Sequence, residues 1–362
     1  MKRLNILTLS YLLLSGVIFF GKKRMPTTIP AGDGLVIKKE WLTENKNPVT
    51  PKEYIRPADQ TFLTFPEWYL VFSPDEQAQY FKHTTSTSFP FMSHVAQIWQ
   101  SYKIVKNQIK NNYPYNGGYH FMIWVIGTST TVEYSMKALY ETVIGRLTDT
   151  KEVITAEDKF NAQYTQEYVD FIKDRPWYEF NFKRQLGILW KQTPFKGDHF
   201  FRKIERRYIL TSELGVKYLY GKLIGLGTKS VYGEAAPSTA VLVNTIPVNN
   251  TDSLQIIQKY ADGSALLSLP RYAKFNPAIN ELAKKGFTFR EIAGNNSAIL
   301  LSVLLPESTD MSVDKTQIIF TQPIASDPSM KRIALVTPVE NLHSVLLELN
   351  KENIVIEHVF DF

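Results

Sequence analysis

The sequence changes character near Gly233–Pro237, and any fold must accommodate two unlike halves. Residues 1–233 hold 31 Lys and Arg against 21 Asp and Glu, with 39 of the 47 aromatic residues and all six tryptophans. Residues 234–362 hold 10 basic against 14 acidic residues and only eight aromatics. In the first half apolar residues recur at three- and four-residue steps, the period of an amphipathic helix. In the second they form short runs bounded by turn residues, the pattern of strands. The expectation is therefore an α+β multidomain chain, with a helical domain over 61–233 and an α+β domain over 237–362. A hydrophobic content of 44% excludes a disordered chain. The absence of cysteine excludes disulfides, thiolate metal sites and cysteine nucleophiles.

Ahead of both halves lies a charge-free run, Leu4–Gly21, bracketed by Lys2-Arg3 and Lys22-Lys23-Arg24. Its 18 residues reach the lower end of what spans a bilayer. A cleaved signal peptide has the same charged start but needs small residues at both positions before the cut, and Phe19-Phe20-Gly21 supplies one. Residues 1–24 are read as a single-pass anchor in preference to a signal segment, with the side of the soluble bulk left open. Residues 25–60, with Pro26, Pro30, Pro48, Pro51 and Pro57, read as an extended linker leading away from the membrane.

Within 61–233, Phe62–Phe72 form a dense apolar patch. Ser73 as N-cap and Pro74 at the first helical position predict a short helix from Pro74 to about His83. Further helices are expected over about 91–110 and 119–147. Another should start at the Thr155/Asp158 capping box and stop before Pro176. The last covers about 198–229. It opens on Arg202, Lys203, Arg206 and Arg207, and its apolar later part is interrupted by Glu213, Lys217 and Lys222. Three charges make a membrane span expensive. A helix packed in the bundle, or lying on a membrane surface, fits better. In the second half, two strand–helix–strand units with an antiparallel hairpin between them (FTFREIAG, AILLSVLLP) match the ferredoxin-like pattern.

No nucleotide-binding, P-loop, zinc-protease or hydrolase motif is present, so the sequence names no cofactor and leaves open whether the chain is an enzyme. No two of the six histidines stand at metal-ligand spacing, and the Glu-x-x-His pair of di-metal bundles is missing; no metal is expected. The catalytic candidates are His120, Glu133 and Glu141 on the longest helix, with Glu205 and Glu213 on the last; ion pairing is their simpler role. Arg202, Lys203, Arg206 and Arg207 are candidates for lipid or anion contact. Beside an anchor, anionic lipid headgroups suit them better than nucleic acid, and a solvated helix face is the plainer alternative.

The stretches TFLTFPEWYLVFSPDE (61–76), GYHFMIWVIGTSTTVEYSMKALYE (118–141), RPWYEF (175–180) and EHVFDF (357–362) resemble an uncharacterised family of bacterial membrane-associated proteins. The resemblance covers roughly residues 60–362. It implies a bacterial source and one architecture, and transfers no catalytic residue; with the anchor at residues 4–21, the expected location is the bacterial inner membrane. The expected function is that of a membrane-anchored binding or interaction protein, its partner a ligand, lipid headgroups or a protein of the cell envelope. An enzyme with a polar or metal site around His120, Glu133 and Glu141 is the alternative.

Overall fold

The computed structural model describes residues 29–30, 37–42, 47–149, 153–231, 237–245 and 254–361. The apolar run Leu4–Gly21 lies outside them. Among the described residues, no helix is long and apolar enough to cross a membrane.

The chain is α+β, with helices preceding two antiparallel sheets. The helices are α1 (Gln60–Glu67), α2 (Tyr69–Phe81), α3 (Phe91–Ile109), α4 (Gly117–Tyr140), α5 (Ala156–Ile172), α6 (Phe182–Gln192) and α7 (Phe200–Val231). Helix α4 continues through a π turn, Glu141–Gly145, into Arg146–Thr148. The Thr155/Asp158 capping box forms at the start of α5 as expected. Ser73 does not cap a helix: α2 begins four residues earlier, and the Ser73 hydroxyl lies 3.1 Å from His94 Nδ1 inside the protein. Packing of Tyr69 and Phe72 into the core carries the helix through Pro74, which local propensity alone would place at a helix start.

The second half departs from a ferredoxin-like sheet. Strands β2 (Ser238–Val243), β3 (Ile256–Lys259), β4 (Ala265–Pro270) and β5 (Phe289–Ile292) form one sheet, ordered β3-β4-β2-β5. Strands β6 (Ala298–Pro306), β7 (Gln317–Ile324), β8 (Asp327–Pro338) and β9 (Val355–Val359) form the other, in the equivalent order β7-β8-β6-β9. Helix α8 (Phe275–Lys284) joins β4 to β5, and α9 (Leu342–Lys351) joins β8 to β9. Each half is thus three strands, a helix and a strand, so one topology occurs twice. The expected hairpin across Asn295-Asn296 does not form, because β5 and β6 belong to different sheets. Ala293 and Gly294, both at positive φ, turn the chain between them. The Ala293 amide is anchored on Ala240 and its carbonyl accepts from Arg56.

The period of two along β6 divides the core. Ile299, Leu301 and Val303 face α8 and α9, whereas Ala298 and Leu300 face the helical region. There Phe65 packs on Phe320 and Phe360, with ring centroids 4.9 and 5.4 Å apart. One apolar core therefore crosses the boundary expected at 233–237. Arg332 on β8 adds a charged tie. It pairs with Glu357 at 2.7 Å and Glu76 of α2 at 3.3 Å, and lies 3.9 Å from the Phe72 ring.

The described parts of the expected linker pack on this body. Ile29–Pro30 (β1) pairs with β7 as a fifth strand. Ile37 and Leu42 are buried in the core. The Glu291 carboxylate accepts from the Val49 and Thr50 amides and the Thr50 hydroxyl.

Candidate functional site

Helices α4 and α7 run antiparallel, as their partnered residues show. Ser129 meets Tyr220, Glu133 meets Lys217, Lys137 meets Glu213, Glu141 meets Arg206, and Thr148 meets Arg202. Beneath them, α2 and α5 complete a partly open cavity. Tyr69, Phe81, Phe91, Tyr134 and Tyr168 supply an aromatic lining.

Four charges form a ring in this cavity. Lys137 lies 3.0 Å from Glu133 and 2.9 Å from Glu213; Lys217 lies 3.2 and 2.9 Å from the same carboxylates. Glu133 is the most exposed of the four and marks the opening. Burial pushes its carboxyl up, but Lys217 and Lys137 outweigh this and hold it down at about 2. The same two lysines keep Glu213 ionised against its burial. The Tyr164 hydroxyl lines the cavity, is buried, and has no hydrogen-bond partner among the described residues. An unpaired buried hydroxyl is costly, which makes it a group available to a ligand.

At the inner end the π turn places Glu141 against Arg206. All five guanidinium N–H groups are used. Nη1 donates to Glu141 at 2.7 Å and to Ser86 at 2.6 Å; Nη2 donates to Glu141 at 3.0 Å and to Glu205; Nε donates to Glu205 at 2.7 Å. The expected headgroup-contact cluster is therefore corrected. Arg202, Lys203, Arg206 and Arg207 are all buried. Arg202 faces Asp149 and Asp158, Lys203 donates to the Lys196 carbonyl, and Arg207 pairs with Glu157 at 2.9 Å. Apart from Glu205, their neighbour on α7, the acidic partners Glu141, Asp149, Glu157 and Asp158 lie 44 to 65 residues away in sequence, out of reach of a reading along one stretch.

The catalytic candidates divide. Glu133, Glu141 and Glu213 line the cavity, and Glu205 adjoins it through Arg206. His120 stands 13 residues before Glu133, about 20 Å away along α4 at 1.5 Å per residue. It stacks on Tyr115 and lies 3.0 Å from the Tyr102 hydroxyl. Among the described residues, no three His, Asp or Glu side chains are grouped to hold a metal ion.

Gly145 is required by this geometry. A Cβ there would overlap the Glu141 carboxylate and lie 3.4 Å from Arg206 Nη2. Gly145→Ala should displace Glu141 from Arg206 and cost about 1–3 kcal/mol, as overpacking does. Thermal unfolding of the variant beside Gly187→Ala, which meets open space, checks this; equal midpoints would remove the close approach as a constraint.

A second cleft holds carboxyl groups that the sequence reading passed over. Glu67, Tyr119, Arg271, Tyr272 and Asp361 line it. The Tyr119 hydroxyl donates to Glu67, whose carboxyl is pushed up by burial. Burial also raises Asp361, to about 7, against the pull of Arg271 and Arg56. Trp68 stacks on His358 beside it, ring centroids 3.9 Å apart. Each carboxyl sits in an apolar stretch, FPEWY and VFDF, and that embedding is the signal that could have found them. Compared with known proteins, the chain matches no family model, no curated protein and no solved structure.

Proposed function

We propose that the chain is a bacterial inner-membrane binding protein, anchored through residues 4–21, with the cavity among α2, α4, α5 and α7 as its ligand site. One observation carries the reading: an aromatic-walled cavity set with two carboxylates and two ammonium groups in alternation. The Tyr164 hydroxyl offers one free polar contact inside. The ring fits a zwitterionic head. A phosphate can take the place of a carboxylate between Lys137 and Lys217, and an ammonium the place of a lysine between Glu133 and Glu213. An amphiphile with such a head and an apolar body is the proposed ligand class.

Lysophosphatidylethanolamine titrated into the full-length protein in a non-ionic detergent tests this. Saturable binding at one molecule per chain is expected, weakened at least about tenfold in Lys217→Gln by loss of a charge-assisted contact. Binding that never saturates, or that Lys217→Gln leaves unchanged, overturns the assignment. The alternative, an enzyme using His120, Glu133 and Glu141, has two of its three residues on the cavity and the third remote from it. A partner protein in the cell envelope has no separate observation behind it.

A further inference from the structure

Helices α4 and α7 carry most of their charges inward and a row of apolar side chains outward. On α4 with its continuation to Thr148, Phe121, Val125, Val132, Met136, Leu139 and Val143 are exposed, and Arg146 is the one charged residue so exposed. On α7, as far as its side chains are described, Phe201, Ile204, Tyr208, Val216, Leu219 and Leu223 are exposed, with Lys222 the one charge among the exposed positions. Laid out at 100° per residue, these positions fall opposite the buried ones on each helix. The helices are antiparallel neighbours with a common interior, so both outward faces lie on one side of the molecule. Large exposed apolar patches on a protein mark sites of protein or membrane contact.

We infer that the outward face of α4 and α7 docks onto a lipid bilayer, its apolar side chains entering the boundary between headgroups and acyl chains. Three features favour lipid as the occupant. The end of α6, the loop after it and the start of α7 expose Trp190, Phe195, Phe200 and Phe201, residue types that settle at membrane interfaces. Exposed charges near the face are mainly basic, Arg146, Lys191, Lys196 and Lys222 against Asp198, and complement anionic headgroups. The same chain carries the charge-free run Leu4–Gly21, which would hold it close to a bilayer. The inference differs from the headgroup role expected of Arg202–Arg207: those side chains point into the protein, and the alternating positions Phe201, Ile204 and Tyr208 face out.

The chain has no cysteine, so single cysteines can be labelled without background. Val132→Cys, Met136→Cys and Leu219→Cys, with Val355→Cys on β9 as an exposed control, are each spin-labelled in the full-length protein. The proteins are reconstituted in vesicles of phosphatidylethanolamine and phosphatidylglycerol. Collision with oxygen, which partitions into the bilayer, is compared with collision with a water-soluble nickel chelate. The three face labels should show an oxygen-to-nickel ratio several-fold above that of Val355→Cys. Ratios equal to the control mean that the protein is held by residues 4–21 alone, and overturn the inference. Labels shielded from both reagents mean that a second copy, a partner protein or residues 4–21 cover the face, and overturn it equally. The cavity's ligand does not enter the measurement, so failure of the lysolipid titration leaves this result standing.

Discussion

Replacing Arg206 by alanine should destabilise the protein by about 3–5 kcal/mol, the cost of breaking a buried ion pair by removing one partner. Arg206 is 2% exposed, and the side chains of Glu141 and Glu205 that it separates are 8% and 7% exposed. Without the guanidinium, two carboxylates remain buried near one another, and the Ser86 hydroxyl loses a donor. Arg206→Lys should recover only part of the loss. It restores the charge, but three donors on a flexible stem cannot serve five bonds held in a planar fork. Arg206→Met combined with Glu141→Gln and Glu205→Gln should be less damaging than Arg206→Ala alone, because no buried charge is left unpaired. Urea denaturation of the four proteins at pH 7 makes the comparison. An Arg206→Ala midpoint within error of the wild type would mean that water reaches and solvates this end of the cavity.

That network also shows what the sequence made legible and what it did not. The basic cluster at 202–207 and the carboxylates at 133, 141, 205 and 213 stand out along the chain, and the helices bearing them form close to their expected limits. Helical period identifies faces but not which face meets the protein. In a soluble helix the apolar face is assigned inward by default. In α4 and α7 the charged face is inward, and charge pairing between helices 60 to 90 residues apart makes that possible. The same limit explains the second half. Strands β2 and β4 to β9 and both helices are readable from pattern and turn residues, and the α+β class follows. Strand order depends on which edges pair, and a hairpin with two strands in different sheets has the same local pattern as one that pairs. Asp361 and Glu67 were missed because each stands alone among apolar residues, and a single carboxylate has no periodicity.

Asp361 should make stability fall as pH rises toward neutrality. Burial raises its carboxyl to about 7 in the folded protein, above the 3.8 of a solvated aspartate. Between those values the folded state holds a proton that the unfolded state has released. The stabilisation is complete below pH 3.8 and is lost as pH climbs through 7. The slope is about 1.4 kcal/mol per pH unit, and the full span is about 4 kcal/mol. Asp361→Asn keeps the shape and has nothing to ionise, so this contribution disappears. Subtracting the variant's stability from that of the wild type cancels the other titrating groups, provided Glu67 responds alike in both. The difference should decline steadily from pH 4 to pH 7 and level off above pH 7, with the variant relatively favoured at high pH. Urea midpoints measured at half-unit steps give the curve. Parallel profiles would mean that Arg271, 3.8 Å away, and Arg56 keep the carboxylate ionised throughout. If the decline is found, the cleft of Glu67, Tyr119 and Asp361 holds an exchangeable proton near neutral pH. Such groups are acids and bases at work in clefts, and this proton lies apart from the charged ring among α2, α4, α5 and α7.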